Sequence, residues 1–322
     1  SMSWKEAKRP LIIISGPTAV GKTAVSVELS RRLFGECVSA DSVQLYRGLD
    51  IGSAKAGEEE RGGVPHHLID VLDPSERCDA PRFQEMAEEA IDGIYRRGHL
   101  PILVGGAGFY IQALLYGIDF REERESEKER IRERLERESE SEEGRERLYE
   151  RLRELDPESC RKIHPHNVKR LIRALEFFEL HHFPISRHNE EERGRRAQYD
   201  ALYFVLTRER EKLYERIDER VDEMMNRGLL EEVKGLLLSG CRRSDPAMQG
   251  IGYRELTSFL SGEGSLEEAV SEIKRNSRKY AKRQLPWFRR EKAAEWIEIS
   301  KFGEEKGKIT EWIIKRCTEH WG

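Results

Sequence analysis

Gly16-Pro17-Thr18-Ala19-Val20-Gly21-Lys22-Thr23 satisfies G-x-x-x-x-G-K-[ST], a spacing that builds a cradle for phosphate. Its glycines let backbone N–H groups converge on phosphate oxygens, and the helix that must follow adds partial positive charge at its N-terminus. Lys22 neutralises the outer phosphate, and the Thr23 hydroxyl is placed to ligate Mg²⁺. A phosphate-loop hydrolase or kinase ends a second strand with an acidic residue that completes the Mg²⁺ shell. Here the apolar run Ile102-Leu103-Val104 leads into Gly105-Gly106-Ala107-Gly108, leaving Asp70 and Asp73 as the remaining candidate carboxylates. The loop therefore suits a phosphoryl-transfer enzyme such as a nucleotide or small-metabolite kinase less well than usual. It suits equally a diphosphate that departs as a leaving group.

The elements that position this loop read as strands alternating with helices. Leu11 to Ser15 is a short β-rich run, and Thr23 to Phe34 has helical periodicity. Further strands are expected at Glu36 to Ser39, His67 to Leu72, Pro101 to Val104 and Ala201 to Leu206, which together predict a parallel α/β sheet. The second strand delivers Asp41-Ser42-Val43-Gln44 to the carboxyl edge of that sheet, where open α/β sheets place their ligands. Asp41 could act there, or Asp41 and Ser42 could simply cap the turn that follows.

From Arg121 to Glu154 the chain is dominated by Glu and Arg, with Ile131, Leu135, Leu148, Leu152 and Leu155 in a narrow stripe, as expected of a solvated helical arm. The predicted organisation is a phosphate-loop core at 10–120 plus 197–322 and an inserted helical subdomain at 121–196. Amphipathic helices are expected from Glu211 to Asn226 and from Ser265 to Tyr280. Lys274 to Arg290 carries eight basic residues, Lys279 and Arg283 among them, and no acid, interleaved with Tyr280, Trp287 and Phe288. Cations for phosphates beside aromatics for unstacked bases suit single-stranded RNA, although such a helix could also pack against acidic partners.

Composition bounds the rest. Charged residues make up 37% against about 25% in typical domains, yet the net charge is only −4, which excludes a one-signed tail protein. Cys37, Cys78, Cys160, Cys241 and Cys317 are widely separated, so neither a zinc site nor a disulfide scaffold is expected and a reducing, cytoplasmic setting is. Residues 1 to 6 contain no apolar run, which speaks against a signal peptide, and Ser1 before Met2 reads as a cloning scar. The uncharged stretch Leu100 to Ile118 is broken by Pro101, four glycines and Gln112, so no membrane span is expected.

Taken together, these segments resemble the tRNA dimethylallyltransferases, isopentenyltransferases that modify an adenosine beside the anticodon. The resemblance runs from Gly16 to Arg289, through the phosphate loop, Asp41 to Tyr46, Ile51 to Lys55, Pro65 to Leu68, Gly105 to Tyr110, Asn167 to Arg170, Arg173 to Glu176, Gln249 to Tyr253 and Lys282 to Arg289. Thr is usual in that family where Ala107 and Pro286 stand, which puts a polar contact to the target nucleotide and a local backbone or hydroxyl contact in doubt. Cys317 and His320 lack a second ligand pair, so the chain resembles the compact bacterial form rather than relatives with a zinc finger.

The resemblance implies dimethylallyl diphosphate and tRNA as partners, Mg²⁺ as cofactor, a monomer, and transfer of the prenyl group to an adenosine N6 amine. That amine donates its lone pair into the ring and attacks only as its proton leaves, which makes Asp41 the expected general base. Arg220 is the implied helix arginine on the diphosphate. Implied tRNA contacts are Asp41, Ser42, Val43, Gln44, Ala107, Lys169, Arg170, Leu171, Ile172, Arg173, Gln249, Gly252, Tyr253, Lys279 and Arg283, with Gln44 and Tyr46 candidates for holding the extruded base.

Overall fold

The computed structural model describes residues 3–116, 125–182, 184–186 and 199–322. Strands β1 (Pro10–Ser15), β2 (Gly35–Ser39), β3 (His66–His67), β4 (Leu100–Gly105), β5 (Asp200–Thr207) and β6 (Glu295–Glu298) form one sheet in the order β3-β2-β4-β1-β5-β6, parallel throughout. The helices in chain order are α1 (Lys22–Leu33), α2 (Glu58–Arg61), α3 (Ala80–Arg96), α4 (Gly108–Tyr116), α5 (Glu125–Glu138), α6 (Glu142–Leu155), α7 (Pro157–Lys162) and α8 (Val168–His181). After β5 come α9 (Arg210–Asn226), α10 (Leu229–Leu238), α11 (Tyr253–Leu260), α12 (Leu266–Arg289) and α13 (Lys306–Trp321).

Parallel strands are covered on both faces and so carry unbroken apolar runs, and Leu11 to Ile14 are wholly buried. Register aligns the carboxyl ends: Ser15 pairs with Gly105, and Ser39 with Val104. The loops after β1, β2 and β4 consequently leave the sheet along one edge. Gly16 opens the first of them at φ 143°, and a Cβ there would lie 2.4 Å from the Leu206 carbonyl oxygen, so only glycine fits.

Two expectations need correction, and one strand was not foreseen. The strand foreseen at His67 to Leu72 stops after two residues because Leu68 and Asp70 adopt left-handed φ of 63° and 59°; contact resumes as an isolated bridge between Tyr46 and Leu72. The helix foreseen to end at Tyr280 runs on to Arg289, held by buried Ala281, Gln284 and Phe288, while Pro286 falls in its last turn. Strand β6, Glu-Trp-Ile-Glu, was hidden by its mixed polarity; it is an edge strand that buries only Ile297.

The chain divides into two compact units. The first comprises Ser1–Cys78, Gln84–Ile111 and Gln198–Gly322, the second Asp79–Phe83 and Gln112–Ala197. The boundaries expected at 120/121 and 196/197, and the start of the acidic arm at Arg121, lie outside the described residues. In the second unit the supposed solvated arm is two helices, α5 and α6, that bury their leucine stripe. Leu135, Leu148 and Leu152 pack with Leu171 and Leu175 of α8 in a core of their own. Ser141, Asp156 and Asn167 cap α6, α7 and α8 through side-chain oxygens. Buried Glu176 is held by Arg132 at 3.0 Å.

At the opposite end of β2 from the phosphate loop, Glu36 is 2% exposed and accepts from Arg97 at 2.9 Å, His67 at 2.9 Å and His99 at 2.7 Å. Burial alone would raise its carboxyl, but Arg97, His67 and His99 outweigh that and hold it at about 2. A depressed carboxyl stabilises the fold above its ordinary titration range, and that stability is lost as pH falls from the ordinary range toward 2. Glu36→Gln should therefore cost on the order of 1–2 kcal/mol at neutral pH, the exposed partners being screened by solvent. Urea unfolding at several pH values checks this: the wild-type decline below pH 4.5 should flatten in the variant, and parallel declines would refute it.

Candidate active site

The phosphate loop keeps its strained backbone, with Ala19 at φ 66° and Gly21 at φ 109° before α1 begins. Lys22 folds back over it, its Nζ donating to the Gly16 and Pro17 carbonyls at 2.9 Å each. Burial, then the positive charge of Arg220, pushes the ammonium down to about 7, opposed in part by Asp41. Burial likewise lowers Arg220, with Arg216 adding to it and Asp41 among the charges that oppose it. Lys22, Arg220 and Asp41 thus form one electrostatic cluster.

A cleft of about 300 Å³ opens at this cluster, lined by Thr18, Ala19, Asp41, Ser42, Val43 and Arg220. Apolar side chains line it as well, Ile217, Val221 and Met224 of α9 and Ile273 of α12, together with Gln249, Gly252 and Arg283. Arg220 and this apolar wall share one face of α9, as residues three, four and seven apart must.

Asp41 does cap its turn: Oδ1 accepts from Val43 N–H at 2.7 Å and Gln44 N–H at 2.9 Å. The same bonds aim the carboxylate at the cleft it lines, so the two readings of this residue are compatible.

Several expected contacts are spent elsewhere. The Gln44 side chain accepts from Ser39 Oγ at 3.0 Å and donates to the Ser53 carbonyl at 3.0 Å, which pins the far loop instead of reaching outward. Tyr46 is 5% exposed and belongs to the core. Tyr253 is fully buried; its hydroxyl donates to Glu232 at 2.7 Å and accepts from Gly52 N–H at 3.0 Å. Glu232 also accepts from the amides of Asp50 and Ile51 at 2.9 Å, so Tyr253 and Glu232 support the wall made by Gly52, Ser53 and Ala54. Asp70 pairs with buried Lys55 and Asp73 with Arg47, and neither lines the cleft at the phosphate loop. Ala107 stands in the loop after β4, its N–H on the Ala40 carbonyl at 3.1 Å. In the second unit Lys169, Arg170 and Arg173 are exposed, whereas Leu171 and Ile172 are buried in the local core and offer no side chain to a partner.

The basic run on α12 is divided. Lys274 pairs with Asp222 at 2.9 Å and Arg278 with Asp218, both on α9, and Arg275 pairs with Glu272. Lys279, Lys282 and Arg283 are solvent-exposed on the remaining face, and Arg283 stacks over Tyr280 at 5.9 Å. Tyr280, Gln284 and Glu232 are site-building residues whose positions no spacing in the sequence revealed.

Among the described residues no group of three His, Cys, Asp or Glu could hold a metal, and no helix is long and apolar enough to cross a membrane. The donor set is one hydroxyl, Thr23, beside an anion cradle. That fits Mg²⁺ when a bound diphosphate and water supply the other oxygens.

A parallel sheet that carries a complete phosphate loop without a strand-end acid defines a phosphate-loop α/β protein. The description IPP transferase matches residues 44–291, and isopentenyl transferase matches 10–70. The chain belongs to the IPP transferase family, and it is a transferase. It is 47% identical over 311 residues to the tRNA dimethylallyltransferase of Lachnoclostridium phytofermentans, covering 97% of this chain and 98% of that one. A second relative of the same name, from Exiguobacterium sibiricum, is 46% identical and 94% of each chain is covered. The crystal structure of tRNA delta(2)-isopentenylpyrophosphate transferase from Staphylococcus epidermidis superposes with a TM-score of 0.70 at 37% identity, covering 97% of this chain and 100% of that one. A eukaryotic dimethylallyltransferase acting on tRNA gives 0.62 at 31% identity, over 87% of this chain and 70% of that one.

Proposed function

We propose that this enzyme transfers the dimethylallyl group of dimethylallyl diphosphate to the N6 amine of an adenosine next to the anticodon of tRNA. The observation that carries the reading is one cleft in which the edge of a phosphate loop, a carboxylate and a half-buried guanidinium adjoin an apolar wall. The loop amides, Lys22 and Arg220 stabilise the charge that develops on the departing diphosphate. Mg²⁺, when held by Thr23 and the substrate, supplies further neutralisation of that charge. The wall of Ile217, Val221 and Met224 receives the prenyl carbons and excludes water from the electrophilic carbon. Asp41 takes the N6 proton as the N–C bond forms and the C–O bond to diphosphate breaks. Ser42, Val43, Gln249 and Gly252 border the adenosine, and exposed Lys279 and Arg283 with Lys169, Arg170 and Arg173 of the helical unit meet tRNA phosphates. A monomer working in the cytoplasm suits this task. Phosphoryl transfer is not favoured, since Asp70 and Asp73 are committed to Lys55 and Arg47.

The test offers labelled dimethylallyl diphosphate with unmodified tRNA or with AMP, and ATP in parallel. Label should enter tRNA in a Mg²⁺-dependent manner, with ATP left intact. ATP turnover without prenyl transfer would end this reading.

A further inference from the structure

Helix α12 meets three loops at the cleft with side chains spaced three, four and seven residues apart. Tyr280 lines the cleft next to Asp41 and Ser42. Trp287 covers Gly108, where an added Cβ would lie 2.3 Å from the Trp287 Cβ, and its ring is 5.3 Å from Phe109. Between them Gln284, 4% exposed, uses both ends of its amide. Its Oε1 accepts from Thr18 N–H in the phosphate loop at 3.1 Å, and its Nε2 donates to the Gly106 carbonyl at 2.9 Å. A Cβ on Gly106 would come within 2.1 Å of that Nε2, so the glycine makes room for the bridge.

We propose that Gln284 is a positioning residue for the diphosphate, tying the phosphate loop at Thr18 to the loop after β4 so that the other loop amides stay aimed at one anion position. The residue lies in the basic, aromatic segment whose composition points to RNA, yet its contacts serve the opposite substrate. An amide held at both ends has no rotamer left to explore, and losing it leaves the part-buried Thr18 N–H without its side-chain partner. This inference rests on the diphosphate reading of the loop.

Calorimetric titration of inorganic diphosphate with Mg²⁺ into wild type, Gln284→Met, Gly106→Ala and the double variant tests it. Met keeps the length and flexibility of Gln without its polar atoms. Each single variant should weaken diphosphate binding about 5- to 50-fold, and the double should be no worse than the weaker single because both break one bridge. Affinity for unmodified tRNA should stay unchanged across the set. Thermal unfolding confirms that each variant is folded, and if Gln284→Met is not, Gly106→Ala alone carries the same expectation. Unchanged or tighter diphosphate binding in a folded variant, additive losses in the double, or a parallel loss of tRNA affinity would each overturn the assignment. Wild type failing to bind diphosphate is a separate result, which removes the reading of the loop and this inference with it.

Discussion

Asp41→Asn is expected to lower prenyl-transfer turnover about 10²- to 10⁴-fold while leaving the affinities for tRNA and diphosphate close to wild type. The substitution is a narrow probe because Oδ1 already accepts two backbone N–H groups, from Val43 and Gln44, and the amide oxygen of Asn accepts them as well. The turn and its approach to the cleft should therefore survive, and only the capacity to take up a proton is lost. Single-turnover rates with saturating substrates measure the chemical step, and a thermal midpoint measured alongside separates lost chemistry from lost structure. Near-normal turnover in a folded variant would leave Asp41 as a cap and nothing more.

The second large effect belongs to Lys22. Lys22→Met should raise the dissociation constant for diphosphate about 10- to 100-fold, the scale of a charge-assisted hydrogen bond removed from a partly buried site. It should also change the pH dependence. The ammonium titrates at about 7 because burial and then Arg220 disfavour its charge. Only the protonated form favours the anion, so the Lys22 contribution is present below pH 7 and fades as pH rises through it, approaching tenfold per unit. The ligand's own titration is common to both proteins, so the difference between their profiles isolates Lys22. Parallel profiles from pH 6 to 9 would refute the assignment.

How much of this was legible beforehand depends on the range of the interaction concerned. The phosphate loop, β1 and α1 are set by local chemistry: an apolar run, the glycine-and-lysine spacing of the loop and a helical period all lie within about twenty-five residues. The alternation of strands and helices likewise settled a parallel sheet, and the order of motifs settled the family. Asp41 was legible as a candidate because β2 ends at the carboxyl edge of the sheet, and the structure shows its capping bonds and its place in the cleft lining.

What the sequence alone could not supply depends on side chains distant in the chain. The leucine stripe between Arg121 and Glu154 looked like a solvated arm because its partners, Leu171 and Leu175, lie beyond it on α8. Two of the eight basic residues in the α12 run became structural because Asp218 and Asp222 of α9 meet Arg278 and Lys274 across some sixty and fifty residues of chain. Gln44 had the right type for a contact to a base and Tyr253 for a contact to tRNA, but burial and Ser39, Ser53 and Glu232 claimed their polar atoms first. Residue type and spacing thus determined which chemistry this chain can do. Tertiary packing decided which polar groups remain facing the cleft, because a buried donor or acceptor must find a partner wherever the fold provides one.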